Sequence, residues 1–398
     1  MDFKYDDEAE ALRTKIREFV KANIPPDIAL GLFADEHFQD DWDFSMKIAK
    51  KLSETGWLTM AWPKEHSGMG ASVWERCVFG EEIGYWGIPG GGMGVSGTAW
   101  VGPSLMLFGT EAQMNKYLPM IASGSDDGIW CTGYSEPDSG SDLASLQTRA
   151  ERVGDEYIIN GQKVWNSAGH HARWCWLACR TDPNAKRKHD GISVMMVDMK
   201  SPGVTVRPIP NLFGAHIFNE IFFKDVRVPA ENLVGKENNG WAQLMQALAF
   251  ERGISLGSSS TAQRILDEMV QYAKETGAIK KAEIRMKLAD LATDIRTLRI
   301  LALEAAWKAA KGELVIYEPS RDKSYNDEIL EKMGQLGTEI IGAYSQVDPL
   351  VRKTKYKRLS GMMEWNYWST AGMWNAAGTT DTNRNIVAQF KLGLPRGY

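Results

Sequence analysis

Cysteine, histidine and long apolar runs are all scarce in this chain. Four cysteines (Cys77, Cys131, Cys175 and Cys179) in 398 residues are too few for a disulfide scaffold. They point to a reducing, cytoplasmic setting. Six histidines, none paired at i, i+4 spacing beside a carboxylate, give no metal motif, so no metal site is expected. No stretch of about 18 apolar residues occurs, and the acidic, amphipathic start MDFKYDDEAEALRTKIREFV has no apolar leader core. Membrane insertion and export are therefore not expected. Positive charge is also not in excess: 46 basic against 51 acidic side chains leave a net charge of -5. That balance argues against nucleic acid or an anionic membrane surface as partner.

What remains is an ordinary globular mixture, 43% hydrophobic and 24% charged, in a chain long enough for two or three domains. Its 15 tryptophans stand out, either as core or as walls for flat, bulky ligands. Texture divides the chain into three blocks, 1–128, 129–234 and 235–398. In the first, Ala9, Leu12, Ile16, Phe19 and Val20 recur at helical spacing, and 44–58 repeats the habit. The second alternates β-branched and aromatic runs (EYIING, HARWCWLACRT, GISVMMVDMKSPGVTVRPI, IFNEIFFKDVRVP) with glycine and proline turns. In the third, helix resumes after Asn238-Asn239. An apolar stripe of Trp241, Leu244, Met245 and Leu248 is followed by helices over 261–275, 282–311 and 326–345, with Tyr317–Asp327 read as a surface loop. The fold class expected is α+β multidomain, ordered α, β, α.

Gly92–Gly97 formally fits a dinucleotide fingerprint but follows EEIGYWGIPG rather than a strand, so a Rossmann unit is rejected. His170-His171 follows a turn and reads as a surface or interface pair. More informative is Tyr134-Ser135-Glu136-Pro137-Asp138-Ser139-Gly140-Ser141-Asp142, which gathers hydroxyls and free backbone donors suited to a phosphate or a heteroaromatic edge. A second stretch, Lys163-Val164-Trp165-Asn166-Ser167-Ala168-Gly169, sets a tryptophan beside a hydroxyl at a strand end.

Together these two stretches closely resemble the flavin-binding motifs of the acyl-CoA dehydrogenases. LFGTEAQMNKYLP at 107–119, FNEIFFKDVRVPAENLVG at 218–235 and GTTDTNRNIVAQFKLGLP at 378–395 extend the resemblance over most of the chain. It implies an N-terminal helical domain, a middle β-barrel domain and a C-terminal four-helix bundle that bind FAD and oxidise an acyl-CoA. By the same resemblance Tyr134 and Ser135 meet the flavin pyrimidine edge, and Gly140 and Ser141 sit by phosphates and substrate. Trp165 covers the ring, Asn166 and Ser167 lie beside it, and Gly378, Thr379 and Thr380 form a second contact. Electron-transfer flavoprotein and a homotetramer are the implied partners.

Family chemistry needs a carboxylate to remove the α-proton. The residue before Gly378, where many members carry that glutamate, is Ala377. The isovaleryl- and long-chain-type members instead place a Glu-Arg pair on the first helix after the β domain, and here that pair is Glu251-Arg252. Helical spacing from Trp241, Leu244 and Leu248 puts residue 251 or 252 on the same inward stripe, where burial raises a carboxyl toward general-base duty. Glu251 is the expected base and Arg252 the expected substrate contact. Glycines at 253 and 257 imply either that a ligand, flavin or neighbouring helix approaches this helix closely or that the helix kinks there. The family's R-x-x-F-G stretch is missing from YAKETGAIKKAEIRMKLADL. Aromatic and methionine residues at 362–374 are either core or a wall for a bulky acyl group, toward which the reading leans. Two alternatives stand beside this reading: a flavin monooxygenase or oxidase on the same scaffold, and a non-catalytic subunit of a heteromeric dehydrogenase.

Overall fold

The computed structural model describes residues 4–25, 39–90, 96–212, 214–251, 256–348, 351 and 354–395, without the side chains of 39, 40, 246–251, 256 and 360. Helices α1 (Asp7–Asn23), α2 (Gln39–Glu54), α3 (Val73–Trp86), α4 (Gly102–Phe108) and α5 (Glu111–Ala122) come first. Seven strands follow: β1 (Trp130–Gly133), β2 (Arg149–Val153), β3 (Glu156–Lys163), β4 (Trp174–Arg180), β5 (Ile192–Asp198), β6 (Val204–Pro210) and β7 (His216–Pro229). The chain then returns to helix: α6 (Gly240–Glu251), α7 (Leu256–Thr276), α8 (Ala282–Ala310), α9 (Glu318–Ile341), α10 (Met362–Met373) and α11 (Thr380–Phe390). Two compact units result, one of Met1–Leu32, Ser72–Ile88 and Arg252–Tyr398, the other of Phe33–Ala71 and Pro89–Glu251.

In the first unit, α1 starts where Asp6 accepts from the Ala9 amide, with Asp7, Glu8 and Glu10 in its first turn to oppose the helix dipole. Its buried face is Ala9, Leu12, Ile16 and Val20, as the spacing predicts. A capping box between Ser72 and Glu75 opens α3. Helices α7, α8, α9 and α10 share one core that includes Met269, Leu298, Met333 and Met363. Glycine lets α3 and α7 touch: a Cβ on Gly84 would lie 2.2 Å from the Gly257 carbonyl oxygen. The close approach expected at residue 257 is therefore that of a neighbouring helix, while residue 253 lies outside the described residues.

One reading fails here. Tyr317–Asp327 is not a loop, because α9 begins at Glu318 with Pro319 in its first turn. Polar composition misleads at this point, since Glu318, Ser320, Asp322 and Asp327 are buried, with the three acids held by Lys308, Arg321 and Lys323.

The second unit is built on a curled sheet in the order β1-β4-β2-β3-β7-β6, with β5 on the other edge of β4. Strand β4 is buried on both faces. Trp174, Trp176 and Ala178 pack with Leu105, Tyr117, Leu118 and Ile121 of α4 and α5, while Cys175, Leu177 and Cys179 join Tyr157, Ile221 and Val226 inside the curl. Trp130, Trp174 and Tyr117 form an aromatic cluster with centroids 5.0–5.8 Å apart, so these tryptophans serve as core. Helix α6 buries Gln243 and Leu244, whereas Met245, expected on the same stripe, is 39% exposed. The stripe turns about the 243–244 edge instead. All four cysteines are free and buried.

Candidate active site

Strand β1 lies parallel to β4, in the register Trp130 with Trp174, and ends at Gly133. A side chain at 133 would meet Leu177 Cδ1 at 2.8 Å, so glycine brings Tyr134 and Ser135 over the sheet end. The loop then folds on itself through two backbone bonds between Glu136 and Ser139, 2.9 and 3.1 Å, and Ser139 Oγ donates to the Asp142 carbonyl. Gly140 and Ser141 stand exposed at its tip, with nothing within 4 Å of where a Cβ on Gly140 would be.

Strand β3 ends at Lys163 beside this loop. The Val164 amide donates to the Ser135 carbonyl at 2.9 Å. Lys163 is fully buried, and its ammonium donates to the Tyr134 carbonyl at 2.9 Å and to Glu136 Oε1 at 2.8 Å. Glu136 also accepts from the Gln147 and Thr148 amides. Burial opposes the charge on Glu136, but Lys163 and these donors win and hold the carboxyl below its ordinary value. Burial also lowers Lys163, with Glu136 acting against it. The pair is thus a clamp that joins the serine loop to the strand end.

Immediately after the clamp the backbone turns left-handed at Trp165, φ 62°, and projects an indole that is 60% exposed, with its edge to Phe218. Asn166 is buried. Its Nδ2 donates to the Thr132 carbonyl and its backbone pairs in both directions with Asn219 at 3.1 Å, while its Oδ1 has no partner among the described residues. Ser167 is exposed. Tyr134, Ser135, Trp165, Asn166 and Ser167 are brought together in this way, and Gly140 and Ser141 belong to the same loop.

The remaining candidates lie in the other unit or outside the described residues. Gly378, φ 82°, follows Ala377 at φ 53°, and Thr379 caps α11 by accepting from the Thr382 amide. Thr380 is buried, and its hydroxyl donates to Asp327 at 2.7 Å. Glu251 is the last residue of α6, its side chain outside the described residues, and Arg252 lies wholly outside them. Glu136, Lys163 and Asn219 are residues that sequence reasoning passed over. The first two stand inside the quoted motifs, where hydroxyls and tryptophan drew attention, and Asn219 carries no local signal.

A flat, polar-edged cofactor suits this surface. An exposed indole held in a strained backbone, an orphaned buried acceptor on Asn166 and an open glycine-serine tip are features that a ligand would complete. Among the described residues no group of three or more His, Cys, Asp or Glu could hold a metal ion.

Comparison with known proteins identifies the family. The N-terminal, middle and C-terminal domains of acyl-CoA dehydrogenase match residues 6–125, 131–226 and 238–392. The acyl-CoA dehydrogenase IpdE1 of Mycobacterium tuberculosis is 34% identical over 397 residues, 98% of each chain. The chain belongs to the acyl-CoA dehydrogenase family. Its three-part architecture, helical, curled sheet and helical, is that of the family, and acyl-CoA dehydrogenases are oxidoreductases that act on acyl-CoA. Among solved structures, one named as a Tcur3481-Tcur3483 steroid ACAD has a TM-score of 0.89 at 31% identity, covering 100% of both chains. The ChsE4-ChsE5 complex from Mycobacterium tuberculosis gives 0.87 at 28% identity, again covering 100% of both chains.

Proposed function

We propose that this acyl-CoA dehydrogenase uses FAD to oxidise a bulky acyl-CoA at its α,β bond. The observation that carries the reading is the clamp: Lys163 and Glu136 fix the Tyr134-Ser135 backbone beside the exposed Trp165 and Ser167. When bound, FAD would supply the two-electron acceptor. Tyr134 and Ser135 would donate to its pyrimidine edge, Gly140 and Ser141 would hold phosphates and substrate, and Trp165 would exclude water from one side. Asn166 and Ser167 would hydrogen-bond beside the ring. Gly378 and Thr379 would add a second contact, with Thr380 anchoring that loop through Asp327.

Ala377 has no group to take a proton, so the base must come from elsewhere. Glu251 follows the buried Leu244 by two helical turns, on the same side of α6, and is the proposed base. Arg252 would then orient the substrate. The blocks 1–128, 129–234 and 235–398 are proposed as the three functional domains. A bulky substrate is supported by the neighbour named a steroid ACAD. On α10, Met362, Met363 and Trp365 are core, while Tyr367, Trp368 and Met373 are exposed.

Electron-transfer flavoprotein is the proposed acceptor, and the cytoplasm the proposed location, which the four free thiols favour. A homotetramer is the family-based assembly. A two-component assembly is the second reading, favoured by Ala377 and by two solved neighbours named as pairs. Native mass with and without a co-expressed homologue separates them.

The deciding experiment is anaerobic bleaching of the purified protein's flavin by straight, branched and alicyclic acyl-CoAs, run beside Glu251→Gln. Bleaching by a bulky thioester in the wild type, with the variant binding ligand but staying oxidised, is the expected outcome. A variant that bleaches as fast removes Glu251 from the mechanism. A protein that binds no flavin removes the dehydrogenase reading for the isolated chain.

A further inference from the structure

His170 and His171 are half-buried and belong to a chain of four rings. Four rings touch in sequence: His216 stacks on His170 at 3.9 Å between centroids, His170 meets His171 tilted by 45° at 4.0 Å, and His171 stacks on Trp42 of α2 at 3.6 Å and 10°. Asn219, fully buried on β7, reads this stack. Its Nδ2 donates to His170 Nδ1 at 3.1 Å and to the Asn166 carbonyl at 3.0 Å, and its Oδ1 pairs with His216 Nε2 at 2.7 Å. We propose that His216, His170 and His171 form one acid-labile positioning device for Trp165–Ser167, in which Asn219 passes the state of the ring stack to the Asn166 backbone.

The hydrogen bonds define the allowed state. Asn219 Nδ2 faces two acceptors, so His170 Nδ1 must carry a lone pair, and Asn219 Oδ1 needs the proton of His216 Nε2. A proton added to His170 Nδ1 sets donor against donor. Turning the Asn219 amide over would give His170 an acceptor but would remove the bond to Asn166 and set an N–H group against His216. A protonated His170 therefore either meets the Asn219 amide donor to donor or costs the side-chain bond from Asn219 to the Asn166 carbonyl. Trp165, left-handed at φ 62°, holds that conformation only while its flanks are fixed.

Burial, then the neighbouring rings, depress His170 to about 3 and His171 to about 4, while Asp43 and Asp126 oppose this at His171. An open cavity of about 730 Å³ beside His170 and His171 admits solvent. The charged groups of α2 that line it are Asp43, Lys47, Lys50, Lys51 and Glu54, and Asp126 lines it from the turn before β1. The sign follows. Both rings stay neutral while the latch is closed and bind protons when it opens, so opening grows as pH falls below the ordinary histidine value near 6.5 and levels off near 3–4.

The purpose of the device rests on the proposed flavin site, but its structural part can be measured without flavin. The test is amide hydrogen exchange of 164–169, corrected for intrinsic rate, from pH 7.5 to 4.5 in the protein as purified, with β5 as internal control. Expected is a loss of protection of up to about tenfold per pH unit per histidine in 164–169 alone. In His170→Phe, which keeps a stacking ring but has no ring nitrogen, that slope falls by about tenfold per pH unit. If 164–169 and β5 lose protection together, or the variant keeps the wild-type slope, the device is overturned. His171→Phe gives the same comparison if the first variant does not fold, and the wild-type profile alone can refute the proposal. Flavin retention over the same pH range is the second readout. Failure to take up FAD at pH 7.5 counts against the proposed function, while the exchange profile still decides the latch.

Discussion

Lys163 and Glu136 make a buried ion pair at 2.8 Å, and the lysine ammonium also donates to the Tyr134 carbonyl at 2.9 Å. Removing one partner leaves the other as an unpaired buried charge. Lys163→Met should therefore cost about 3–5 kcal/mol in urea unfolding. Lys163→Met with Glu136→Gln should recover part of that, because the glutamine removes the buried charge and still accepts one of the two backbone amides. The Glu136 carboxyl is held below its ordinary value, so its contribution is complete above about pH 4.3 and is lost as pH falls through the lower folded value. Equal stability of the single and double variants would refute the clamp.

Trp165 should separate binding from stability. Its indole is 60% exposed, and its φ of 62° suits glycine better than tryptophan. Trp165→Gly should leave the melting temperature unchanged or raised, while weakening flavin retention at least about tenfold, a loss of about 1.4 kcal/mol. A fall in melting temperature with unchanged flavin retention would reassign Trp165 to the fold.

Asp322 on α9 is buried, with Oδ2 unpartnered among the described residues, and burial pushes its carboxyl up to about 6 despite the neighbouring Arg321. A raised carboxyl value means that ionisation destabilises the fold. Stability is greatest below the ordinary aspartate value and declines as pH rises through about 6. Asp322→Asn should stabilise by about 1–3 kcal/mol at pH 8 and by little at pH 4. Denaturant melts at the two pH values check the sign.

Gly84 allows α3 to lie against α7. Gly84→Ala places a methyl 2.2 Å from the Gly257 carbonyl oxygen, against backbone that cannot step aside locally. Overpacking of this kind should cost about 1–3 kcal/mol. Gly154→Ala is the control, since its position is open although its φ of 61° adds a small strain.

The histidine latch is the prediction least visible in the sequence. His170 and His171 are adjacent in the chain, but Trp42, His216 and Asn219 reach them only through the fold.

Helical spacing at residues 9, 12, 16 and 20, the continuous apolar runs of β4 and β5 between turns, and the two motif stretches were each readable by eye, because period and turn chemistry are local properties. They determined the element order and the family. Tertiary structure decided what local texture cannot carry. It placed α1 and α3 in one compact unit with α7–α11, and α2 with the sheet. It turned the polar Tyr317–Asp327 stretch into a helix, because Lys308, Arg321 and Lys323 supply the partners that let its acids be buried. It also made Glu136 and Lys163 a clamp rather than two charged residues in a polar loop. Burial and pairing depend on which distant groups meet, and a sequence read locally contains the groups but not their meeting.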